Sequence, residues 1–158
     1  MTGPIKNILI SHIHEDDEGL TPLKDLLKEG GMKARDYSIR SDNPNNAKFP
    51  DYIKTEILRP RIEWAGCLVV YISPETKDSD FVEWEIEEAA RQGKRIVGVW
   101  ERGAGGCEMP EALDQYGDAC VGWISGKIVD AINGNRNDFE GPDGTPSPER
   151  AIKRHPCG

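Results

Sequence analysis

The sequence predicts an α/β fold in which five parallel strands form one sheet with helices on both faces. Short apolar runs of strand length alternate with segments of helical periodicity between Asn7 and Ile132. This alternation is typical of a parallel sheet whose crossover helices cover both faces. For five strands the leading order is 2-1-3-4-5, the flavodoxin-like arrangement.

The predicted strands are short apolar runs separated by turn residues and helical segments. In chain order they are Asn7–Ile10, Met32–Ile39, Gly66–Ser73, Arg95–Trp100 and Ala119–Trp123. The second run is more polar than the others, so we expect it at an edge of the sheet.

The predicted helices follow the strands and carry recognisable boundary signals. Leucines at helical spacing form the first helix, which Gly30–Gly31 ends, and Thr21–Pro22 could supply its N-cap and first position. Pro60 ends or kinks the second helix, and Asp80 is the expected N-cap of the third. The later helices are Asp51–Trp64, Asp80–Gln92, Pro110–Gln115 and Gly126–Ile132.

One carboxylate of the third helix, Glu85, falls where a solvent-facing charge is not expected. At about 100° per residue, the apolar face of this helix is centred on Val82 and Ile86. Glu85 lies at the edge of that face, so we expect it to be partly desolvated, with a raised pKa. The alternative is a boundary glutamate that reaches water or pairs with a lysine. The other carboxylates form a predicted solvated face: Glu83, Glu87 and Glu88.

The predicted topology places Glu85 beside the expected ligand site. In doubly wound sheets, sites form beyond the carboxyl ends of the strands, at the switch point between strands one and three. Ser11–His14 follow strand one, and Ser73–Phe81 follow strand three and lead into the helix of Glu85. Because Glu85 lies just over one turn into that helix, its side chain can reach the crevice. Glu85 is therefore the candidate functional carboxylate.

Length and charge exclude several classes of function. The chain has 158 residues and a net charge of −8, which suits one domain and argues against nucleic-acid binding, since phosphate affinity needs a basic face. The apolar runs are too short to span a membrane, and because Met1–Pro4 leads directly into a strand, we expect no signal peptide. After Asn133 the composition shifts to Gly, Pro, Asn, Asp and Arg. We therefore expect a domain over 1–135 and an extended or poorly ordered tail over 136–158.

The cysteines and histidines show no metal-ligand spacing. Cys67 and Cys120 lie in apolar strands and are interpreted as packed thiols. His12 and His14 share one strand end and lack a third ligand. We therefore expect a reduced, cytoplasmic protein without a bound metal.

Two segments resemble the Toll/interleukin-1 receptor (TIR) domain family, and a third, which lies between them in the chain, resembles one group of TIR-like proteins. Asn7–His12 is similar to the first TIR strand, and Ser79–Ile86 to the family's Ser-x-Trp-Cys-x-x-Glu-Leu helix start, with Glu85 at the glutamate. The chain more closely resembles the TIR-like proteins of the bacterial Thoeris anti-phage system, in which Arg35–Ser38 also has a counterpart. The resemblance covers residues 5–134.

This resemblance implies an enzyme that uses NAD as its substrate and needs no cofactor. TIR enzymes break the bond between nicotinamide and ribose, and Thoeris-type members release a cyclised ADP-ribose that activates a partner effector during phage infection. Glu85 stands at the family's catalytic position. The chemistry suits a carboxylate, because cleavage at the anomeric carbon builds oxocarbenium character and nicotinamide leaves as a neutral group.

Four further residues are candidates for substrate binding. Phe81, one turn before Glu85, could pack on nicotinamide, although it replaces the family's usual tryptophan. Ser11 and His12 could contact ribose or phosphate, and Tyr37 could line the rim of the site. Three of these also have structural interpretations. Phe81 could be a core or lid aromatic, Ser11 a cap of the strand–loop turn, and His12 a structural hydrogen-bonding group.

The sequence leaves two other functions open. One is a non-catalytic TIR adaptor that only assembles with partners. The other is an enzyme like a nucleoside deoxyribosyltransferase, which shares the topology and uses a glutamate nucleophile. A semi-buried Glu85 at the crevice favours catalysis over the adaptor, whereas a covalent sugar adduct at Glu85 would favour the transferase. The loop Arg40–Pro50 would correspond to the family's assembly loop, but its residues do not match that loop well enough to carry over its contacts. Self-association is a further property that the resemblance allows. No G-x-G-x-x-G phosphate loop occurs, which excludes a Rossmann dehydrogenase.

Overall fold

The five strands lie parallel in one sheet. The structure is a computed structural model and describes residues 6–12, 20–36, 58–74, 76–101, 109–123, 125–137 and 139–140. The strands are β1 (Lys6–Ser11), β2 (Met32–Asp36), β3 (Cys67–Ile72), β4 (Arg95–Trp100) and β5 (Ala119–Val121). Their order is β2-β1-β3-β4-β5. The predicted topology is confirmed, with β2 at one edge.

Helices lie between successive strands and after the last one. They are α1 (Leu20–Glu29), α2 (Arg59–Trp64), α3 (Asp80–Arg91), α4 (Glu111–Tyr116) and α5 (Ser125–Ile132). A 3-10 turn, Thr76–Asp78, precedes α3. The predicted bounds of β4 are confirmed, whereas β5 ends at Val121 rather than Trp123.

Both faces of the sheet are buried. On one face, α1 and α5 pack on Ile8 and Ile10 of β1 and on the buried odd-numbered residues of β3 and β4. On the other face, α2, α3 and α4 pack on Leu9 and the alternate residues of β3. Successive strand side chains point to opposite faces, so neighbours in the sequence of β1 belong to different core layers. This double burial explains why the strands are apolar runs rather than alternating patterns.

The start of α3 differs from the prediction. The N-cap is Ser79, whose backbone is extended at φ −89° and ψ 113°, and whose Oγ accepts the Val82 N–H at 3.2 Å. Asp80 is already the first helical residue. Since the capping side chain has to come from the residue just outside the helix, Asp80 cannot serve as the cap.

The first two helices also differ at their starts. Helix α1 is already formed at Leu20, so Thr21–Pro22 lie within its first turn rather than at the N-cap. Helix α2 continues beyond Pro60, which sits near its start, where a missing N–H is tolerated, and so Pro60 does not end it. The predicted segment 51–57 lies outside the described residues. The end of α1 at Gly30–Gly31 is confirmed, with Gly31 at φ 80°.

The predicted solvated face of α3 is wrong for Glu88 and only partly right for Glu83. Glu88 is 3% exposed, and its carboxylate contacts Arg91 Nη1 at 2.6 Å and Arg59 Nε at 3.4 Å. Glu83 is half-buried and accepts the Ala112 N–H of α4 at 3.1 Å. These side chains are covered because α2 and α4 flank α3, an arrangement that a helical wheel does not contain.

Beyond α5 the chain returns to the sheet. Phe139 forms an isolated parallel bridge with Cys120 of β5, and the Glu140 N–H donates to the Cys120 carbonyl at 2.8 Å. The Trp100 indole Nε1 donates to the Glu140 carbonyl at 2.7 Å. Phe139 and Glu140 therefore lie beside β5 at the edge of the sheet. The boundary at residue 135 stays a prediction, and 141–158 lie outside the described residues.

The buried carboxylate of Glu140 anchors this returning segment. It is 5% exposed and accepts hydrogen bonds from Lys127 Nζ at 2.7 Å and from the Gly122 N–H at 3.0 Å. Burial by itself would raise the pKa of Glu140. The hydrogen bonds from Lys127 and Gly122 and the positive charges of Lys127 and Arg136 outweigh burial, so the pKa lies below the ordinary value of 4.5.

Two cysteines behave as the sequence predicts. Cys67 and Cys120 are buried free thiols in the two core layers. In the ranges that the structure describes, no helix is long and apolar enough to cross a membrane.

Gly98 in β4 permits the close approach of α4 to the sheet. A Cβ at this position would lie 2.6 Å from Leu113 Cδ2 and 2.9 Å from Cys120 Sγ. We expect Gly98→Ala to lower the free energy of unfolding by about 1–3 kcal/mol through overpacking, as measured by urea denaturation. The control is Gly126→Ala in α5, where a Cβ meets nothing within 4 Å and stability should hold or rise. Equal losses from the two substitutions would contradict this account of Gly98.

Glu140→Gln keeps the shape of the anchor and removes its charge. We expect it to lower the free energy of unfolding by about 1–3 kcal/mol at neutral pH, because hydrogen bonds to a charged group are lost. Since the folded pKa is lowered, the charge stabilises the fold above the unfolded pKa of 4.5, and this contribution is lost as pH falls through the folded pKa. The difference between the two proteins, measured by urea denaturation, should therefore shrink on acidification. Glu87→Gln, at an exposed position, is the matched control.

Candidate active site

The carboxyl ends of β1 and β3 lie side by side at the switch point of the sheet. β1 pairs with β2 on one side and with β3 on the other, and Ser11 of β1 is level with Val70 of β3. From β1 the chain crosses to β2, and from β3 it crosses to β4 on the opposite side. The connections after β1 and β3 therefore diverge, and a crevice between them is the usual ligand site of such sheets.

Thr76 holds the turn that joins β3 to α3. Its buried hydroxyl accepts the Ser73 N–H at 2.9 Å and donates to the Tyr71 carbonyl at 3.4 Å. The Thr76 N–H donates to the Ser73 carbonyl at 3.2 Å, and Ser79 then caps α3. These contacts fix the start of α3 relative to β3, so that Glu85, in the second turn, faces the end of β1.

Glu85 and Ser11 meet between α3 and β1. The Ser11 hydroxyl donates to Glu85 Oε1 at 2.5 Å, and both residues have 0% of their surface exposed. Oε2 of Glu85 is buried and has no hydrogen-bond partner among the described residues. Burial raises the pKa of Glu85 from 4.5 to about 8, and the hydrogen bond from Ser11 opposes part of that rise. Glu85 is thus buried more deeply than the sequence predicts.

The arrangement is suited to a positive charge that arrives or develops at Oε2. With a pKa of about 8, Glu85 holds its proton at neutral pH when nothing else is bound. A cationic group within about 4–6 Å would favour the ionised form. In a site that excludes water, the resulting attraction is stronger than in solvent. The site can therefore stabilise a cationic ligand or a cationic transition state.

The structure brings together two of the five predicted site residues, Glu85 and Ser11. Phe81 is half-buried, one turn before Glu85, and packs against the same core layer. His12 follows the last residue of β1 and is buried. Tyr37 lies outside the described residues, as does His14. The substrate-binding roles of Ser11, His12, Tyr37 and Phe81 stay predictions.

Thr76 is not among the predicted site residues, although it lies within the segment Ser73–Phe81 that was expected at the site. The signal that could have identified it is the Ser73-x-x-Thr76 spacing directly after a strand, because Ser and Thr hydroxyls often close such turns. Within the described parts of the chain, no group of three His, Cys, Asp or Glu residues could hold a metal ion.

In its fold the chain is similar to the TIR domain of the Toll-related receptor TRR-2 from the lower metazoan Hydra magnipapillata. The identity is 21% and the TM-score 0.52, and the match covers 81% of this chain and 92% of that chain. The chain is also similar to Clostridium botulinum CMP N-glycosidase, BcmB, with 15% identity and a TM-score of 0.49 over 81% of this chain and 98% of that chain. No curated protein matches. The fold is that of a TIR-like domain.

A family match makes the assignment more specific. Residues 9–105 match the family described as Thoeris protein ThsB, TIR-like domain. The chain belongs to this family, which confirms the resemblance noted in the sequence and assigns the chain a TIR-family role in defence. The matched region runs from β1 through β4 and contains both Ser11 and Glu85.

The raised pKa of Glu85 has a consequence for stability. Between pH 4.5 and about 8 the unfolded carboxyl is ionised while the folded one keeps its proton, so stability falls as pH rises through this window. Glu85→Gln removes this loss. We therefore expect the variant to gain stability relative to the wild type by up to about 1.4 kcal/mol per pH unit, measured by urea denaturation at about pH 5, 6.5 and 8.

The matched control for this measurement is Glu87→Gln, two positions further along α3 and exposed. Its difference from the wild type should not change with pH across the same window. A Glu85→Gln difference that is constant from about pH 5 to 8 would show that Glu85 titrates normally in the folded protein.

Proposed function

We propose that this chain is a TIR-type enzyme that cleaves the bond between nicotinamide and ribose in NAD and releases a linear or cyclised ADP-ribose as a signal in anti-phage defence. The observation that carries the proposal is Glu85, a fully buried carboxyl at the switch point whose Oε2 has no hydrogen-bond partner among the described residues. Membership of the Thoeris TIR-like family supports it.

The reaction requires a negatively charged group beside the ribose, and the carboxylate of Glu85 is such a group. When the glycosidic bond to nicotinamide breaks, the bonding electrons leave with the ring nitrogen and positive charge develops on the ribose. An ionised Glu85 close to the anomeric carbon would stabilise that charge. Nicotinamide departs as a neutral molecule, so no second carboxylic acid is needed to protonate the leaving group. Water, or a second nucleophile of the same substrate, then completes the linear or the cyclic product.

NAD would itself bring Glu85 into its active charge state. The nicotinamide ring of NAD is a cation, and a cation beside a buried carboxyl lowers the pKa of that carboxyl. Binding would therefore expel the proton that Glu85 holds in the free protein. Because Glu85 has no exposed surface, the residues that cover Oε2 have to open to admit the substrate.

Other residues and partners would act together with Glu85. Phe81, one turn before Glu85, would pack on nicotinamide, and Tyr37 and His12 would contact other parts of NAD. No separate cofactor is needed, because NAD is the substrate. The downstream partner would be an effector that recognises the nucleotide product, and self-association of the domain would regulate activity in the cytoplasm.

The direct test is to incubate the purified chain with NAD and to follow nicotinamide and ADP-ribose products by mass spectrometry. The assay should be run at low and high protein concentration, because TIR-like domains can self-associate. We expect Glu85→Gln to reduce turnover by about 10²–10³-fold, the usual effect of removing one group that stabilises transition-state charge. Glu87→Gln, on the exposed side of the same helix, should keep the wild-type rate.

Three results would contradict the proposal. Equal turnover by the wild type and Glu85→Gln would exclude the mechanism. A covalent sugar adduct on Glu85 after incubation with a nucleoside would favour a transferase. Absence of NAD cleavage at every protein concentration, with self-assembly intact, would favour a non-catalytic adaptor.

A further inference from the structure

The hydroxyl proton of Ser11 already takes part in a hydrogen bond in this structure. It is donated to Oε1 of Glu85 at 2.5 Å, in a place where neither residue has exposed surface. A serine hydroxyl carries one proton. Ser11 therefore has no further proton to donate to a ribose or a phosphate while this hydrogen bond exists.

The neighbouring strands offer Glu85 no other polar partner. On the face that packs against α3, β1 presents Leu9 and Ser11. β3 presents only apolar side chains there: Leu68, Val70 and Ile72. Ser11 is thus the one hydrogen-bond partner that the described residues supply to Glu85.

Among the residues that the structure describes, the charged groups on the elements around Glu85 are engaged elsewhere or exposed. On α3, the carboxylate of Glu83 accepts the Ala112 N–H. Arg59 of α2 pairs with Glu88, whose other partners are Arg91 at the end of α3 and Gln92, the C-cap residue that follows. Three further charged side chains in the described part of this region are exposed: Lys77 and Asp78 in the turn before α3, and Glu87 on the helix itself. His12 follows Ser11 directly beyond the end of β1 and is buried.

We propose that Ser11 is a positioning residue for the reaction, which holds Glu85 by Oε1 so that Oε2 is the oxygen that faces the substrate. This inference rests on the proposed function. It replaces the interpretation of Ser11 as a direct contact to ribose or phosphate. It also assigns separate tasks to the two carboxylate oxygens, one held by β1 and one kept for the anomeric carbon.

Loss of the hydroxyl would affect both the orientation and the ionisation of Glu85. A carboxyl without its donor can rotate about its side-chain torsions, and a small misplacement of a reacting group can cost about 10²-fold in rate. The ionised form would also lose the one hydrogen bond that favours it. The pKa of Glu85 should therefore rise further, and the free enzyme should need a higher pH to become active.

The test compares Ser11→Ala, which removes the donor, with Ser11→Thr, which keeps a hydroxyl on a strand-compatible side chain. Two quantities are measured: the pH dependence of kcat/KM for NAD, and the titration of the Glu85 carboxyl by carbon-13 NMR, assigned by its absence in Glu85→Gln. We expect Ser11→Ala to lower kcat and to move both midpoints to higher pH by about one pH unit. Ser11→Thr should restore the wild-type midpoints.

The NMR titration separates failure of this inference from failure of the proposed function. If Ser11→Ala keeps the wild-type titration and loses activity equally at every pH, Ser11 only fills space and the inference is wrong. If the wild type cleaves no NAD while Ser11→Ala still shifts the titration, the proposed function is wrong and Ser11 has no role in catalysis. If Glu85→Gln is inactive but Ser11→Ala matches the wild type in both measurements, this inference alone fails.

Discussion

A carboxyl that is removed from water has to be held by another part of the protein, and here a neutral hydroxyl holds it. Ser11 and Glu85 are 74 residues apart in the chain and meet at 2.5 Å. Their contact requires the β1–β3 register, the turn closed by Thr76 and the cap at Ser79 to be correct together. The candidate site is therefore a product of the whole switch-point half of the sheet, not of one loop.

Glu85 differs from the other buried carboxylates in the partners of its two oxygens. In the part of the chain that the structure describes, Glu85, Glu88 and Glu140 are the buried acidic residues. Glu88 has Arg59 and Arg91, and Glu140 has a lysine and a backbone N–H, so both negative charges are compensated. Among the same described residues, Glu85 has one neutral donor, and its other oxygen has no hydrogen-bond partner. An uncompensated buried polar atom costs free energy, and functional sites are where proteins retain such a cost.

Most of the fold follows from local patterns in the sequence. Apolar runs predicted the five strands, Gly30–Gly31 predicted the end of the first helix, and the alternation of strands and helices predicted the order of the strands in the sheet. The errors fall where one element is modified by another. The solvated face of α3 could not be predicted, because it depends on how α2 and α4 pack beside that helix. The N-cap could not be predicted either, because Ser79 and Asp80 are both polar and the backbone angles that make Ser79 the cap are not visible in the sequence.

The sequence by itself predicted the strand order, the TIR-like family and Glu85 as the candidate carboxylate, because periodicity and a short motif are local properties and general topology rules then order the elements. Only the tertiary structure decided that Glu85 is fully buried, that Ser11 is its partner, and that Glu88 on the same helix is neutralised by Arg59. Burial and pairing depend on which segments pack together, and those segments are distant in the chain. The charge state of Glu85 therefore belongs to the fold rather than to the motif that contains it.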